Sequence, residues 1–367
     1  MPNLDDAYMT KTLQLALKGK GLTSPNPMVG AILVRNGEIV GEGFHQYHKQ
    51  KHAEILALDQ AGEKARDATL YVNLEPCCHQ GRTGPCCRYI LDSGITRVVA
   101  AMRDPNPLVK GKGFEQLKKA GVEVFLGTME AEAQRLNEAY VKYMSCHIPF
   151  VIAKTGATLD GKISSGSGSQ QWITSLESRH RSHQLRLEVD AILVGIGTVL
   201  KDDPQLTDRS GQPRRRPLLR VVLDSQLRLP RDSQLVRTRH EGAIILFCAD
   251  ARDRSRQRQL ENAGIEIIPA STASGRVPLE VVLEKLGQRQ VMSLLIEGGA
   301  EVNFEALQTK IIDKLICFLA PKILGGTKGV GIFGGAGFVT LDQAPSLVFS
   351  KTEKIGPDLM IEAYFNK

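Results

Sequence analysis

Apolar and polar residues follow two different periods along the first half of the chain. Residues 5–20 repeat apolar side chains at helical spacing, and Asn36-Gly37 separates two strand-like runs as a hairpin turn does. Short strands then alternate with short amphipathic helices, which predicts a sheet with helices packed on its faces. The strands predicted after the hairpin are 68–76, 96–102 and 122–127, and the helices are 52–62, 87–94, 113–121 and 130–144.

The pattern changes after residue 144, where longer and more continuously apolar runs begin. Strands with this texture are typical of parallel sheets that are buried on both faces. We therefore predict an α/β chain of two domains, 1–146 and 147–367. The strand-like runs of the second domain are 151–163, 189–200, 218–225, 242–248, 293–299 and 314–324.

Composition narrows the classes of protein to consider. The 367 residues include no apolar run of about 18 residues, and the N-terminus has no apolar signal-peptide segment, so we expect a cytoplasmic protein. Thiols stay reduced there, and seven cysteines indicate a metal site more than disulfides. The net charge of +7 suits phosphorylated ligands. The basic runs 213–217 and 250–259 lack interleaved aromatic residues, which favours solvated surface over a nucleic-acid site.

Four of the seven cysteines fall within residues 76–87, PCCHQGRTGPCC, shortly after a His-Ala-Glu segment. Catalytic zinc sites usually have three protein ligands and one open position for water. His52 and two cysteines meet that count, and Glu54 is spaced to stand beside the metal and move protons, as in zinc deaminases. Cys77 and Cys86 each follow a proline, so we choose these two as the thiolate ligands.

Other interpretations of the cysteine cluster stay open at this point. A closed structural site could use all four thiols, or three with His52, although adjacent cysteines rarely face one metal and Glu54 would have no role. Cys78 and Cys87 are otherwise bystanders. A nucleic-acid deaminase with a C-terminal targeting domain, or a zinc-stabilised binding module without catalysis, would share the same motif.

Three segments of the second half have the composition of a phosphate-ligand site. Gly298-Gly299 follows a strand and precedes a helix, where backbone N–H groups can approach a phosphate. A second glycine-rich strand end, 195–198, has the same form. Lys154 lies inside an apolar strand, where a lysine is costly unless it is paired or reaches a ligand.

Taken in order, these motifs resemble the bifunctional deaminase/reductase family of riboflavin biosynthesis. The similarity covers nearly the whole chain: besides 52–54 and 76–86 it includes 25–30, 41–45, 104–107, 169–175, 198–209, 223–225 and 320–326. Cys78 stands where serine is usual in the family, and Gly84 where a second proline is usual. Neither position is a proposed ligand.

The resemblance implies an N-terminal cytidine-deaminase-like α/β/α domain with zinc and a C-terminal dihydrofolate-reductase-like α/β domain. It implies hydrolytic deamination of a diaminopyrimidinone ribosyl 5′-phosphate, with water activated by zinc. NADPH-dependent reduction of the ribosyl to a ribityl chain would follow. The implied partner is a small phosphorylated pyrimidine, with no nucleic acid and no membrane, and we expect a homo-oligomer.

The resemblance also assigns individual residues. Lys154 joins Glu54 as a catalytic residue. The deaminase substrate would contact Asn26, His45 and Arg82, with Arg82 pairing with the phosphate. The reductase substrate would contact Gln170, Arg186, Leu206, Arg209 and Glu297. NADPH would contact Gly156, Trp172, Thr198, Asp202, Ser225, Gly299, Ala300, Glu301, Val302, Asn303, Phe304 and Glu305.

Overall fold

The chain divides into two units where the apolar pattern restarts. The computed structural model describes residues 4–80, 84–165, 172–249, 253–270 and 275–366. The N-terminal unit comprises Met1–His147 with Pro213–Arg215, and the C-terminal unit Ile148–Gln212 with Arg216–Lys367. Within the described ranges, every helix is too short or too polar to cross a lipid bilayer.

The N-terminal unit is a five-stranded sheet with helices on its faces. The strand order is β2-β1-β3-β4-β5; the two pairings of β1 are antiparallel, and β3, β4 and β5 run parallel. Its elements are α1 (Leu4–Leu17), β1 (Gly30–Arg35), β2 (Glu38–Phe44), α2 (Ala53–Ala61), β3 (Thr69–Leu74), α3 (Cys86–Asp92), β4 (Arg97–Met102), α4 (Lys112–Lys119), β5 (Glu123–Leu126), α5 (Glu130–Leu136) and α6 (Glu138–Cys146).

Small residues bring helix α2 directly against the sheet. A Cβ placed on Gly43 would lie 2.4 Å from the carbonyl oxygen of Ala53, and one placed on Gly41 would lie 2.2 Å from that of Ala57. Any side chain at either position would therefore push α2 outward. The two glycines fix the N-terminus of α2, where His52 is the capping residue, relative to β2.

The C-terminal unit is built on a nine-stranded sheet of order β11-β10-β9-β8-β12-β6-β13-β16-β15. The strands from β11 to β13 run parallel, and β13, β16 and β15 are antiparallel. Its elements are β6 (Phe150–Thr158), β7 (Lys162–Ser164), α7 (Leu176–Glu188), β8 (Ala191–Gly195), α8 (Ile196–Asp202), β9 (Leu219–Leu223), α9 (Gln234–Arg237), β10 (Ile244–Cys248), α10 (Arg254–Asn262), β11 (Glu266–Pro269), α11 (Leu279–Gln288), β12 (Ser293–Ile296), α12 (Ala300–Gln308), β13 (Lys314–Ala320), β14 (Val330–Gly331), β15 (Leu347–Ile355) and β16 (Asp358–Phe365).

The predicted α/β class is confirmed for both units, and several predicted boundaries are wrong. The run 151–163 is divided between β6 and β7, and the predicted helix 130–144 between α5 and α6. The run 189–200 is not one strand, because β8 ends at Gly195 and the helix α8 begins at the next residue. The run 314–324 ends as a strand at Ala320, and Ile323 and Leu324 are exposed. Apolar composition alone does not distinguish a buried strand from a short buried helix, so the sequence pattern could not place the boundary between β8 and α8.

Candidate active sites

Three side chains of the N-terminal unit meet in a group that fits a metal ion. The ligand atoms of His52, Cys77 and Cys86 all lie within 4.8 Å of one another. Nδ1 of His52 is 3.1 Å from Sγ of Cys86 and 3.5 Å from Sγ of Cys77. One imidazole nitrogen and two thiolate sulfurs form a three-ligand donor set of the kind that catalytic zinc sites use.

Two helix N-termini present these ligands. His52 caps α2, and Cys86 is the first residue of α3 after Pro85. The backbone N–H of Cys86 donates to Sγ of Cys77 at 3.3 Å, and that of Cys87 donates to the Cys77 carbonyl at 3.1 Å. The positive end of a helix favours an anionic sulfur, so the backbone supports a thiolate before any metal binds.

The electrostatics of the group separate its members. Hydrogen bonds from Cys86 and His52 hold the pKa of the Cys77 thiol well below its ordinary value. The hydrogen bond between Cys86 and Cys77, together with burial, raises the pKa of the Cys86 thiol. The hydrogen bond to Cys77 raises the pKa of His52. The Glu54 carboxyl is only 4% exposed, and burial raises its pKa, which suits a group that takes up and releases a proton.

The remaining cysteines of the cluster lie outside the metal group in the described part of the chain. Sγ of Cys87 lies 3.4 Å from the Pro76 carbonyl and 3.6 Å from that of Gly113, which it meets as a weak donor, and the residue is fully buried. Cys78 is half-buried, and burial raises the pKa of its thiol. Both arrangements are those of small core or loop thiols.

Two of the three predicted deaminase substrate residues lie beside the metal group. Asn26 Nδ2 and His45 Nε2 are 3.0 Å apart, and the rings of His45 and His52 meet edge to face with centroids 5.5 Å apart. His45 is 4% exposed. The third, Arg82, falls outside the described residues.

A carboxylate to which the sequence assigned no role anchors the loop that carries Cys77. Glu75 accepts backbone N–H bonds from Gly111 and Gly113, both at 2.9 Å, and from Asp104 at 3.2 Å. It is buried directly before Pro76. An acidic residue directly after a mostly apolar strand was the available signal, because a buried carboxylate must be hydrogen-bonded.

In the C-terminal unit, three predicted residues form one buried ion cluster. Arg186 donates to Glu297 from Nε at 2.8 Å and from Nη2 at 3.2 Å, and Lys154 Nζ is 3.3 Å from the same carboxylate. Their side chains are between 11% and 17% exposed. The two cations hold the pKa of Glu297 well below its usual range despite burial. Lys154, which the sequence required to be paired or at a ligand, is therefore paired.

The other predicted substrate residues of this unit lie on the segment after α8. Arg186 Nη1 donates to the Thr207 carbonyl at 3.0 Å, which joins that segment to the ion cluster. Leu206 is buried, and its neighbour Arg209 donates to Gln205 at 2.7 Å. Gln170 falls outside the described residues.

The predicted NADPH segments converge at the carboxyl ends of β8 and β12. A Cβ on Gly299, the capping residue of α12, would lie 3.7 Å from Oγ1 of Thr198 in α8. Open parallel sheets bind ligands at this edge, and the N-terminus of α12 is suited to a phosphate. Gly156 is in β6, Asp202 ends α8, Ser225 follows β9, and Ala300, Glu301, Val302, Asn303, Phe304 and Glu305 form the first turns of α12.

Several α12 side chains have structural contacts of their own. Asn303 Nδ2 donates to the Ile332 carbonyl at 3.0 Å, and Glu301 accepts from the Gly335 N–H at 3.2 Å. The glycines and backbone of this segment, and the buried Oδ1 of Asn303, which has no hydrogen-bond partner among the described residues, are the groups left to meet a cofactor. Trp172 is 72% exposed, and the Arg179 guanidinium stacks on its ring at 4.5 Å.

Comparison with known proteins gives a family match for each half of the chain. The family model described as "Cytidine and deoxycytidylate deaminase zinc-binding region" matches residues 2–102, and the one described as "RibD C-terminal domain" matches 149–361. The chain is 42% identical over 362 residues to the riboflavin biosynthesis protein RibD of Actinobacillus pleuropneumoniae, covering 99% of this chain and 95% of that protein. It is 40% identical to the Escherichia coli K12 protein of the same name, covering 97% and 98%.

Solved structures give the same result. Acinetobacter baumannii RibD superposes with a TM-score of 0.87 at 33% identity, covering 99% of both chains. The diaminohydroxyphosphoribosylaminopyrimidine deaminase/5-amino-6-(5-phosphoribosylamino)uracil reductase of Thermotoga maritima superposes with a TM-score of 0.87 at 34% identity and the same coverage. The chain thus belongs to the RibD family of riboflavin biosynthesis, bifunctional enzymes that join a zinc-binding deaminase domain to an NADPH-dependent reductase domain.

Proposed function

We propose that the N-terminal unit deaminates 2,5-diamino-6-ribosylamino-4(3H)-pyrimidinone 5′-phosphate and that the C-terminal unit then reduces its ribosyl group to ribityl. The observation that carries the proposal is the grouping of His52, Cys77 and Cys86 next to the buried carboxyl of Glu54. A purely structural zinc site does not require a proton-transferring carboxyl beside its ligands. Deamination needs a proton carrier at this place.

In the deaminase site, His52, Cys77 and Cys86 would hold zinc, and the metal supplies Lewis-acid activation of a water molecule when bound. Glu54 takes a proton on its carboxylate and gives it to the departing amine, so that ammonia leaves. Burial raises the pKa of the Glu54 carboxyl, which favours its carrying the proton from the first step to the second. Asn26 and His45 orient the pyrimidine.

In the reductase site, Arg186 would hold the sugar phosphate, with Glu297 setting the positions of Arg186 and of the catalytic Lys154. NADPH, when bound, would supply the hydride for C1′ of the ribosyl group. The contacts of Arg186 to both Glu297 and Thr207 fix its guanidinium before substrate arrives, which lowers the entropy lost on binding. Thr198 and the N-terminus of α12 would receive the cofactor phosphates.

The direct test is an assay of the full chain with the pyrimidine phosphate. Ammonia should be released from zinc-loaded protein without NADPH, and NADPH should be oxidised only afterwards. Glu54→Ala should abolish ammonia release while retaining zinc, because Glu54 is not a ligand, and should leave NADPH oxidation with the pre-deaminated substrate unchanged. A wild-type protein that binds zinc and releases no ammonia would be a binding module, and the proposal would be wrong.

We also propose a homo-oligomer. The support is the edge strand β15 of the large sheet, on which Val348 and Phe349 are 54% and 69% exposed. Exposed apolar side chains on an unpaired sheet edge are costly in a monomer and are commonly covered by another chain. Sedimentation equilibrium of the wild type and of Phe349→Lys tests this, with dissociation expected for the variant.

A further inference from the structure

One face of helix α7 carries three cationic or imidazole side chains in register. Arg179, His183 and Arg186 stand at positions i, i+4 and i+7, a spacing that places them on the same side of a helix. Arg186 at one end contacts Glu297, and Arg179 at the other stacks on Trp172. His183 lies between them, at the level of the candidate reductase site.

The buried nitrogen of His183 makes no hydrogen bond within the described residues. Its Nδ1 is buried, as is Nε of Arg179, and neither has a partner there. Leaving a buried polar atom without a partner costs free energy, so buried histidines of purely structural role normally bond to a carbonyl or a side chain. Two such atoms lie on one helix face beside a predicted ligand site, which indicates that a bound ligand accepts their hydrogen bonds.

The charges around His183 identify the kind of ligand. Arg186 of α7, Arg209 of the segment after α8 and Lys154 of β6 act on it as cations, and Glu297 after β12 acts as an anion. Burial and these cations lower the pKa of His183 to about 4, so the imidazole is neutral at physiological pH. A neutral imidazole offers one N–H donor among fixed positive charges. A phosphate ester matches that arrangement.

We propose that His183 is a further substrate-binding residue of the reductase and donates a hydrogen bond from Nδ1 to the phosphate of the ribosyl phosphate, next to Arg186. The inference rests on the proposed reductase function and adds to it the residue that completes the phosphate site. His183 takes no part in hydride transfer. Its loss should weaken binding of the phosphorylated sugar and leave the chemical step unchanged.

The test compares the affinity of the protein for ribose 5-phosphate, the phosphorylated fragment of the substrate, with its affinity for ribose. Calorimetry gives its affinity for the full chain directly, and steady-state assays give KM and kcat for NADPH-dependent reduction. His183→Leu should weaken ribose 5-phosphate binding and raise KM for the substrate by about 10- to 100-fold, the usual effect of losing a hydrogen bond to a charged group. The KM for NADPH should not change, and kcat should stay within about 3-fold.

Two further variants separate a binding role from a structural one. His183→Asn keeps an N–H donor close to the position of Nδ1 and should recover most of the affinity. His180→Ala, on the exposed side of the same helix, is the matched control and should behave as wild type. Circular dichroism melting confirms that each variant is folded.

The outcomes distinguish this proposal from the proposed function. A folded His183→Leu protein that binds ribose 5-phosphate as tightly as wild type would overturn the role of His183 alone. An equal loss in KM for NADPH and for substrate would also overturn it, because the effect would then be structural. A wild-type protein that oxidises no NADPH with the deaminated substrate would instead refute the reductase proposal. The ribose 5-phosphate titration would still test whether His183 binds the phosphate.

Discussion

The buried ion cluster of the C-terminal unit allows a quantitative prediction. Glu297→Gln removes one negative charge and leaves the cations Lys154 and Arg186 facing each other across a neutral amide. The carboxylate is 2.8 Å from Arg186 Nε and 3.3 Å from Lys154 Nζ. At an effective dielectric constant of ~20, each attraction at such distances is ~5 kcal/mol, most of it offset by the desolvation of the charges. Removing one member of a buried pair typically costs about 3–5 kcal/mol.

Amide hydrogen exchange by mass spectrometry of the full chain measures this loss where it occurs. The strands β6 and β12, which carry or precede Lys154 and Glu297, should exchange roughly 100- to 4,000-fold faster in Glu297→Gln than in wild type. Peptides from the N-terminal unit serve as the internal reference and should be unchanged. Substrate reduction should fall as well, since the two cations lose their fixed positions.

An exposed ion pair of the same sheet provides the matched control. Lys351 and Glu353 are 2.6 Å apart, with side chains 54% and 42% exposed, and such pairs contribute at most about 1 kcal/mol. Glu353→Gln should therefore leave exchange in β6 and β12 unchanged. The reasoning is refuted if Glu297→Gln accelerates exchange no more than Glu353→Gln does. Replacing Lys154, Arg186 and Glu297 together by Met, Met and Leu should restore much of the protection.

Three further predictions follow from other parts of the chain. Cys78→Ser should retain wild-type zinc content by plasma mass spectrometry and Cys86→Ser should lose most of it; equal retention would contradict the assignment. The pKa of His183, lowered to about 4 from 6.5, means that the unfolded chain takes up the proton first. Between pH 6.5 and 4 the wild type should therefore lose more unfolding free energy in urea than His183→Asn, and parallel curves would disprove this. Arg220→Met removes the guanidinium that donates to the backbone carbonyls of Gln205, Leu235 and Thr238 and should lower the free energy of unfolding by about 3 kcal/mol, seen as a lower urea midpoint with unchanged m-value.

The sequence predicted the alternation of strands and helices well because the signal is local. The hairpin turn at Asn36-Gly37 lies between β1 and β2 as expected. The predicted boundary lies after residue 146, and the first unit of the structure comprises Met1–His147 with Pro213–Arg215. The pattern missed the short strand β11 and the C-terminal pair β15 and β16, where alternating polar residues in a half-exposed antiparallel hairpin give no continuous apolar run.

The metal group was accessible from the sequence because its residues are close together in the chain and chemically unusual. Spacing selected Cys77 and Cys86 from four cysteines, and the structure places these two with His52 while Cys87 faces carbonyls of the core. The backbone explains the selection. Cys86 begins α3 and its backbone N–H holds the sulfur of Cys77, whereas the sulfur of Cys87 faces the Pro76 and Gly113 carbonyls.

The reductase site shows the opposite case. Lys154 and Glu297 are separated by 143 positions, and Arg186 and Glu297 by 111, so no local pattern can pair them. His183 carried no signal either, because a lone histidine on a polar helix is ordinary until its neighbours in space are known. Its role depends on three cations: Arg186 on its own helix, and Lys154 and Arg209 from two other parts of the chain. A site of this kind can be identified only from the folded structure, because its charged residues are far apart in the sequence and a ligand contacts them together.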